Sequence, residues 1–556
     1  MSTAAPAPGA ARPASSAGAA PAPAAASSAQ LPPAWTITAA LGVVYLILAP
    51  ASPDLAAASY RSNLFSTAGF TLWDNSWYGG HHLLAYSVLA PVLGALIGPR
   101  PLAAISMVIA TALFASVIKG RFPALATRVA AVFFALGASV ALLSSRVPFD
   151  LGLAIGLGAV LAAQRGRPRL ALVLAVLCAF ASPVAGAFLA LAFLAWALAG
   201  PARGWPIALT IAALAPIALL TLAFPEGGTQ PFVASAYFPD LTGVLIIAAL
   251  IGSEGSQSAA RVLRIGTLLY AIALTGSYLI PTAVGGNVDR LGALAAGPLA
   301  ACVLAGASRW RRRALIVLAP SLLYWQANAP VADYASTLSN PSVNASYYAP
   351  LLGELHALGV GYGARPTRIE VVATADHWEA RWVAPHVMLA RGWERQLDTY
   401  RNGIFYEESK PLTVARYRAW LAQNAVSYVA LPDAPLDYSS LAEARLLRGG
   451  EASYLREVWR SAHWRLFAVL GASPLASPPG ILRSVSSDSL TLYAPRAGTY
   501  TVRVRFTQYW ALASGSGCVA RTPQGWTEVQ ARRAGRFHVV IRFALARMFS
   551  HGARCR

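Results

Sequence analysis

Few ionisable side chains border the apolar runs of this chain, and their types suit proton and phosphate chemistry. Asp54 follows the first apolar run, Asp74, His81 and His82 lie in TLWDNSWYGGHH (71–82), and Asp150 lies in SSRVPFDLG (144–152). Glu226 is in FPEGGTQPF (224–232), and Asp289 and Arg290 end GGNVDR (285–290). A carboxylate can take a proton, or share a divalent cation (Mg2+ or Mn2+) with a second carboxylate. A guanidinium matches phosphate oxygens. Gathered over a lipid-facing groove, such a set would suit transfer of a sugar from a phosphate-activated lipid, where cationic charge offsets the charge growing on the leaving phosphate. Singly, each has a plainer reading. Asp150 and Asp289 stand where an anion caps a helix N-terminus, worth roughly 0.3–1 kcal/mol. Asp74 can form a turn with Asn75, and neighbouring histidines on a helix point apart, which disfavours a two-His metal site.

The elements that must hold these groups are apolar. Of 556 residues 56% are hydrophobic and only 12% charged, about half the charged share of a soluble domain, and the mean hydropathy is +0.51. From Trp35 to about Ala327 the hydrophobic residues form repeated runs of a length that can cross a bilayer, roughly 20 residues each. After Asn328 the runs stop. Spans are expected near 35–51, 102–118, 129–145, 149–163, 168–182, 185–200, 206–224, 240–252, 263–281, 290–306 and 313–327. The run 83–98 is short and broken by Pro91, and reads as a helix on the membrane surface. With that choice the loops holding Lys119, Arg121 and Arg128, then Arg165, Arg167 and Arg169, then Arg203, Arg261 and Arg264, and Arg309 to Arg313 all fall on one side. That side is cytoplasmic by the positive-inside rule. The count is eleven spans, with the N-terminus in the cytoplasm and the C-terminus outside it.

Much of the net charge of +21 sits in these same loops, so the basic balance does not point to nucleic acid. Arginine in place of lysine, with abundant alanine, suggests a GC-rich bacterial genome, and the expected location is the bacterial plasma membrane. Residues 1–33 are almost wholly Ala, Pro, Ser and Gly and read as a disordered cytoplasmic tail with no cleavable signal. Residues 34–328 are the membrane domain, with an outer loop at 52–101. Beyond it, 329–475 mixes strand-like RIEVVAT (368–374) and SYVALPD (427–433) with the amphipathic TVARYRAWLAQNA (413–425), an α/β pattern. Residues 476–556 alternate as the strands of a small β-sandwich. Cys178 and Cys302 lie in apolar runs and read as packing residues, whereas Cys518 and Cys555 lie in the region expected outside the cytoplasm, where a disulfide can form.

The order of parts in the first 165 residues resembles the GT-C superfamily of lipid-linked-sugar glycosyltransferases, and most of all the catalytic subunits of oligosaccharyltransferases. The resemblance is carried by Asp54, YRSNLFSTAGF (60–70), WDNSWYGG (73–80), the surface helix 83–98, two spans and RVPFD (146–150). It implies a polytopic α-helical GT-C-like fold, Asp54 as the first-loop catalytic carboxylate and Asp150 as the second-loop metal ligand. The second loop has one carboxylate where that family usually presents an Asp-x-Asp pair. The Trp-Trp-Asp-Tyr-Gly motif that reads a sequon is absent, so protein N-glycosylation is not implied. TADHWEARWVAPHVMLARGWERQLD (374–398) resembles the post-membrane segment of membrane proteins named for a 6-pyruvoyl-tetrahydropterin-synthase-related domain. There His377, Trp378, Arg391, Trp393 and Glu394 either line a sugar-binding cleft or pack the soluble part onto the outer loops.

The expected partners are the bilayer, a polyprenyl-phosphate sugar donor and an envelope glycan or glycolipid acceptor. Asp54 and Asp150 would be catalytic and metal-holding, while Arg290, Asp74, His81, His82, Glu226 and Trp393 would bind substrate. A transporter or flippase, and an envelope-assembly protein that keeps the fold without the chemistry, are the alternatives. Charged or broken helices at the bilayer midplane would mark the transporter, and here the ionisable residues gather at one face.

Overall fold

In the computed structural model the described residues are 32–556, apart from 201–202, 252–256, 307, 364, 408, 549–554 and 556. The expected tail falls almost wholly outside them. Thirteen helices follow one another: α1 Trp35–Leu48, α2 Pro53–Ala68, α3 Leu89–Ile97, α4 Pro99–Ile118, α5 Ala124–Ala141, α6 Val147–Gln164 and α7 Pro168–Ala181, then α8 Pro183–Ala199, α9 Gly204–Ala223, α10 Ala234–Leu250, α11 Gln257–Leu279, α12 Asp289–Leu304 and α13 Arg309–Thr337. A helix stands at each of the eleven expected runs. Six of them (α4, α5, α6, α9, α11 and α13) are long and apolar enough to cross a membrane, or seven if α1 and α2, bent by 77° at their junction, count as one span. By that measure the expected eleven crossings are not reached, because Pro and Ser caps shorten helices such as α7 and α8 to 14 and 17 residues.

Small residues let these helices pack closely. Lipid supplies no hydrophobic force between helices, so contact depends on backbones approaching one another. A Cβ on Gly152 would stand 2.7 Å from that of Ala185, and one on Gly297 only 2.1 Å from the Phe133 ring. Cys178 and Cys302 are buried and free, as packing residues should be. The surface helix is shorter than expected and begins at Leu89. Ser87 Oγ accepts the Ala90 N–H at 3.1 Å, and Pro91 lies in the first turn, where its missing N–H costs nothing. Residues 83–88 are held in loop form by Leu83 N–H on Leu72 O and Val88 N–H on Phe180 O.

Between α2 and α3 a two-residue hairpin pairs β1 (Trp73–Asp74) with β2 (His81–His82). Its turn needs Gly80, which has φ +122° and a Cβ position 2.3 Å from the Trp73 ring.

After α13 the chain forms α14 (Ala345–Ala357) and a five-stranded sheet in the order β4-β3-β5-β7-β6. Its strands are β3 Arg368–Val371, β4 Met388–Leu389, β5 Val426–Pro432, β6 Leu455–Arg460 and β7 Trp464–Val469, with α15 Glu379–Trp382, α16 Arg395–Arg401, α17 Val414–Gln423 and α18 Leu441–Gly449 among them. Two further sheets follow. One is four-stranded, from β8 Ile481–Val485, β9 Ser489–Ala494, β11 Trp510–Ser514 and β14 Gly535–Ile541. The other is three-stranded, from β10 Gly498–Arg505, β12 Gly517–Arg521 and β13 Trp526–Ala531. Their alternating inward residues, Leu490, Leu492, Val502, Val504, Val529 and Val539, share one core. A disulfide joins Cys518 in β12 to Cys555.

In the α/β part, His377 has Asp437 at 3.4 Å and Glu379 at 3.2 Å. Arg395 pairs with the same Asp437 at 2.5 Å. Burial opposes the charged imidazole, but the hydrogen bonds to Asp437 and Glu379 outweigh it and raise the pKa from 6.5 to about 9. A folded pKa above the unfolded one gives stability that is complete below pH 6.5 and lost as pH rises through about 9. The unfolding temperature of the detergent-solubilised protein should therefore fall between pH 6.5 and pH 9. His377→Gln should flatten that part of the curve, and a wild-type curve already flat there would contradict the pairing.

Candidate active site at the membrane mouth

Three hydrogen bonds, beside a local cap on α2, bring the ends of distant helices together. Ser52 caps α2, accepting the Leu55 N–H at 3.3 Å, and its hydroxyl donates to Ser144 O at 2.8 Å. Tyr45 OH and Ser145 Oγ lie 2.7 Å apart. Thr337 Oγ1, in the last turn of α13, donates to Ala51 O at 3.0 Å. The junction of α1 and α2, the loop before α6 and the end of α13 are thus one cluster. Within it Arg146 Nε donates to Asp54 Oδ2 at 3.1 Å, and Arg146 Nη2 to Asp333 Oδ2 at 3.3 Å. Ser144 Oγ also donates to Asp333, at 2.5 Å.

Asp54 lies in the first turn of α2 and Asp150 in the first turn of α6, where a helix N-terminus favours an anion. Both cap-type positions therefore face one mouth. Asp150 is buried and its Oδ2 has no hydrogen-bond partner. Arg290 lies with its guanidinium 5.7 Å from the centre of the Phe149 ring, close enough to Asp54, Asp150, Arg146 and Tyr86 to interact electrostatically with each. Its backbone is pinned on both sides. Trp325 Nε1 donates to Asp289 Oδ1 at 2.6 Å, and Tyr270 OH donates to Val288 O at 3.0 Å and accepts from Gly292 N–H at 2.9 Å. Asp54, Asp150 and Arg290 are accordingly brought to one place. Arg146 and Asp333 join them without having been singled out in the sequence.

The soluble part closes over this mouth. Trp393 Nε1 donates to Pro53 O at 2.7 Å, one residue before Asp54, and its ring meets Tyr86 edge-on at 6.1 Å. Arg61 lies over Tyr86 at 4.1 Å and is ion-paired with Glu394. Trp393 therefore stands beside the cluster.

The other expected substrate-binding residues are elsewhere, in a buried seam between the outer loop and the C-terminal sheets. Asp74 is fully buried and accepts from Tyr60 OH at 2.8 Å and Ser76 N–H at 3.0 Å. Burial raises its pKa. His81 is stacked on Trp77 at 5.3 Å, and burial pushes its pKa down to about 3, so the ring is neutral. His82 Nδ1 meets Glu226 at 2.7 Å and Nε2 meets Thr507 at 3.0 Å. Glu226 also pairs with Arg401 at 2.8 Å. Burial alone would raise the Glu226 pKa, but Arg401 and His82 outweigh it and hold the carboxyl below its usual range. Asp74, His82 and Glu226 spend their polar atoms on Tyr60, Ser76, Thr507, Arg401 and, for His82 and Glu226, each other, whereas both ring nitrogens of the buried His81 have no hydrogen-bond partner among the described residues. His377, Trp378 and Arg391 are likewise buried, and Arg391 is closed on Asp398 at 2.6 Å. For these the packing reading fits the structure.

A divalent cation does not fit the arrangement. Among the described residues no three His, Cys, Asp or Glu side chains come together as a metal group, and Arg146 already lies against Asp54. The expected ligands Asp54 and Asp150 are part of no such group among the described residues.

No family model matches the chain, and no curated protein does. Solved structures similar to it include the arabinofuranosyltransferase AftD from Mycobacteria, at 16% identity and TM-score 0.41 over 79% of this chain and 42% of that one. The chain thus spans less than half the length of that protein. The oligosaccharyltransferase of Archaeoglobus fulgidus in its apo form is similar at 12% identity and TM-score 0.43, over 92% of this chain and 94% of that one. The same archaeal enzyme in complex with an inhibitory peptide and a dolichol-phosphate is similar at 13% identity and TM-score 0.43, over 72% and 69%. These likenesses assign no superfamily to the chain.

Removing the shared guanidinium tests the cluster. Arg146→Ala leaves Asp54 and Asp333 without their cation, and should lower stability by roughly 1–3 kcal/mol, between an exposed pair and a fully buried one. Thermal unfolding in detergent, followed by tryptophan fluorescence, measures it. A loss no larger than that of the exposed Arg456→Ala would contradict the bridge.

Proposed function

We propose that this chain is a membrane glycosyltransferase that moves a sugar from a polyprenyl-phosphate-linked donor to a cell-envelope glycan or glycolipid on the outer face of the plasma membrane. The observation that carries the reading is the charge arrangement at the mouth. Arg146 is shared by Asp54 and Asp333. Arg290, among the described residues, lies against an aromatic ring and in no ion pair. An unpaired arginine beside two carboxylates is suited to a substrate that brings its own phosphate.

In this reading the donor phosphate meets the Arg290 guanidinium and the acceptor hydroxyl approaches Asp54. Arg146 fixes Asp54 through Oδ2, and among the described residues Oδ1 has no hydrogen-bond partner and is open to the acceptor proton. As the acceptor oxygen bonds to the anomeric carbon, its proton passes to Asp54 and the bond from that carbon to the phosphate oxygen breaks. The electron pair leaves with the phosphate, and Arg290 stabilises the added charge. Asp150 orients the guanidinium that faces it. Tyr86 and Trp393 wall the site.

One observation favours a second reading. The Arg146 bridge also ties α2, the start of α6 and α13 together, which an envelope-assembly protein without chemistry would equally use. Radiolabelled polyprenyl-phosphate sugars supplied to membranes separate the two. Wild type should transfer label to envelope material, and Asp54→Asn should reduce transfer by about 10²–10⁴-fold, the range for loss of a general base. Arg290→Gln should reduce it as well, chiefly through weaker donor binding. Transfer unchanged by Asp54→Asn, or absent from every donor with wild type, would favour the assembly role.

A further inference from the structure

We infer that the last described stretch of the C-terminal sheets, Ile541–Met548, is a membrane-surface contact that seats the acyl chain of a bilayer lipid. It begins where β14 ends, and α19 (Leu545–Met548) closes it. Its position is set by the end of α9, one of the helices able to span. The last carbonyl of α9, Ala223 O, accepts from Tyr509 OH at 2.7 Å and from Gln508 Nε2 at 3.2 Å. The turn that leads into β11 thus caps the C-terminus of a helix able to span. Phe224, next in the chain, meets Tyr509 at 5.4 Å and Phe543 at 6.2 Å. Phe543 therefore lies at the depth where a span leaves the hydrocarbon, a level favoured by aromatic rings.

The exposed surface there is apolar and continuous with the flank of α9. Leu222 is 66% exposed on the last turn of α9, Phe543 51%, Leu545 68%, and Phe70 of the outer loop 59%. Water on these side chains costs about 25 cal/mol per Å², and lipid removes that cost. Between them opens a cavity of about 510 Å³, lined by Phe70, Leu72, Leu84, Phe224, Ile541 and Phe543 with Thr71 and Asp488 at its polar edge. Such a volume is typical of small-ligand sites, about 300–1,000 Å³, and the lining suits a hydrocarbon chain. Arg542 is exposed beside Phe543, and Arg547 donates to Tyr509 O and Trp510 O at 3.1 Å. An apolar ridge flanked by arginines is the pattern of an interfacial segment. Lipid is favoured over a protein partner because the ridge continues the flank of a helix that itself faces hydrocarbon.

The full-length protein in nanodiscs, with a phospholipid carrying a diazirine midway along one acyl chain, tests this directly. Irradiation followed by peptide mass spectrometry should label 541–548 to within about threefold of the lipid-facing residues of α9, as an inserted segment would. Phe543→Asp with Leu545→Asp should cut label on 541–548 by about tenfold, since charge is disfavoured in hydrocarbon, and leave α9 labelling unchanged. The wild-type measurement stands without the variant. Label on α9 with none on 541–548 would overturn the proposal, as would cross-links from 541–548 to a second copy or another protein in place of lipid.

Discussion

The structure depends on one arginine held between two carboxylates in a part-buried cluster of helix ends. Arg146 reaches Asp54 and Asp333, residues 92 and 187 positions away in the chain. A lone charge in such a cluster is costly, and satisfying it forces the α1–α2 junction, the start of α6 and the end of α13 to one point. Hydroxyls at Ser52, Ser144, Tyr45 and Thr337 set the geometry. With Arg146 so occupied, Arg290, which lies in no ion pair among the described residues, is the cation that the proposed function assigns to the donor phosphate.

A second set of buried charges attaches the C-terminal sheets to this mouth. Glu226 joins His82 of the outer loop to Arg401 of α16, and Arg61 of α2 joins Glu394. Next to Glu394 in the chain stands Trp393, whose indole fixes the carbonyl just before Asp54. The sheet region therefore forms one wall of the candidate site, and a change in how it seats would be felt at Asp54. Its contact with lipid through Phe543 and Leu545 would steady the same wall from the membrane side.

Much of this was legible in the sequence, for identifiable reasons. Apolar runs and arginine-rich loops give strong periodic signals, so a helix stands at each expected run, and Asp54, Asp150 and Arg290, read from their places at helix mouths, come together. Arg146 was visible in RVPFD but had no pattern to tell a bridge from an interfacial charge. Asp333 lay hidden because the apolar run ends near 327 while α13 continues to Thr337. Pro330 and Thr337, buried on that extension, are not the apolar residues whose spacing marks a helix in sequence. His81, His82 and Glu226 were read as accessible because they are polar and near the membrane. Their partners, Trp77, Thr507 and Arg401, are in part hundreds of residues away, and pairing across such distances leaves no local trace. Six or seven helices meet the length and apolarity of a crossing against the eleven expected, because run length does not show where a proline or serine cap cuts a helix short.

The most direct test is an experimental structure of the protein in lipid nanodiscs with a polyprenyl phosphate bound. The account predicts phosphate oxygens about 2.7–2.9 Å from the Arg290 guanidinium, the spacing of a charge-assisted hydrogen bond, with Asp54 still on Arg146 and facing the same space. Phosphate density at another site, or Asp54 and Arg290 opening onto separate cavities, would contradict it.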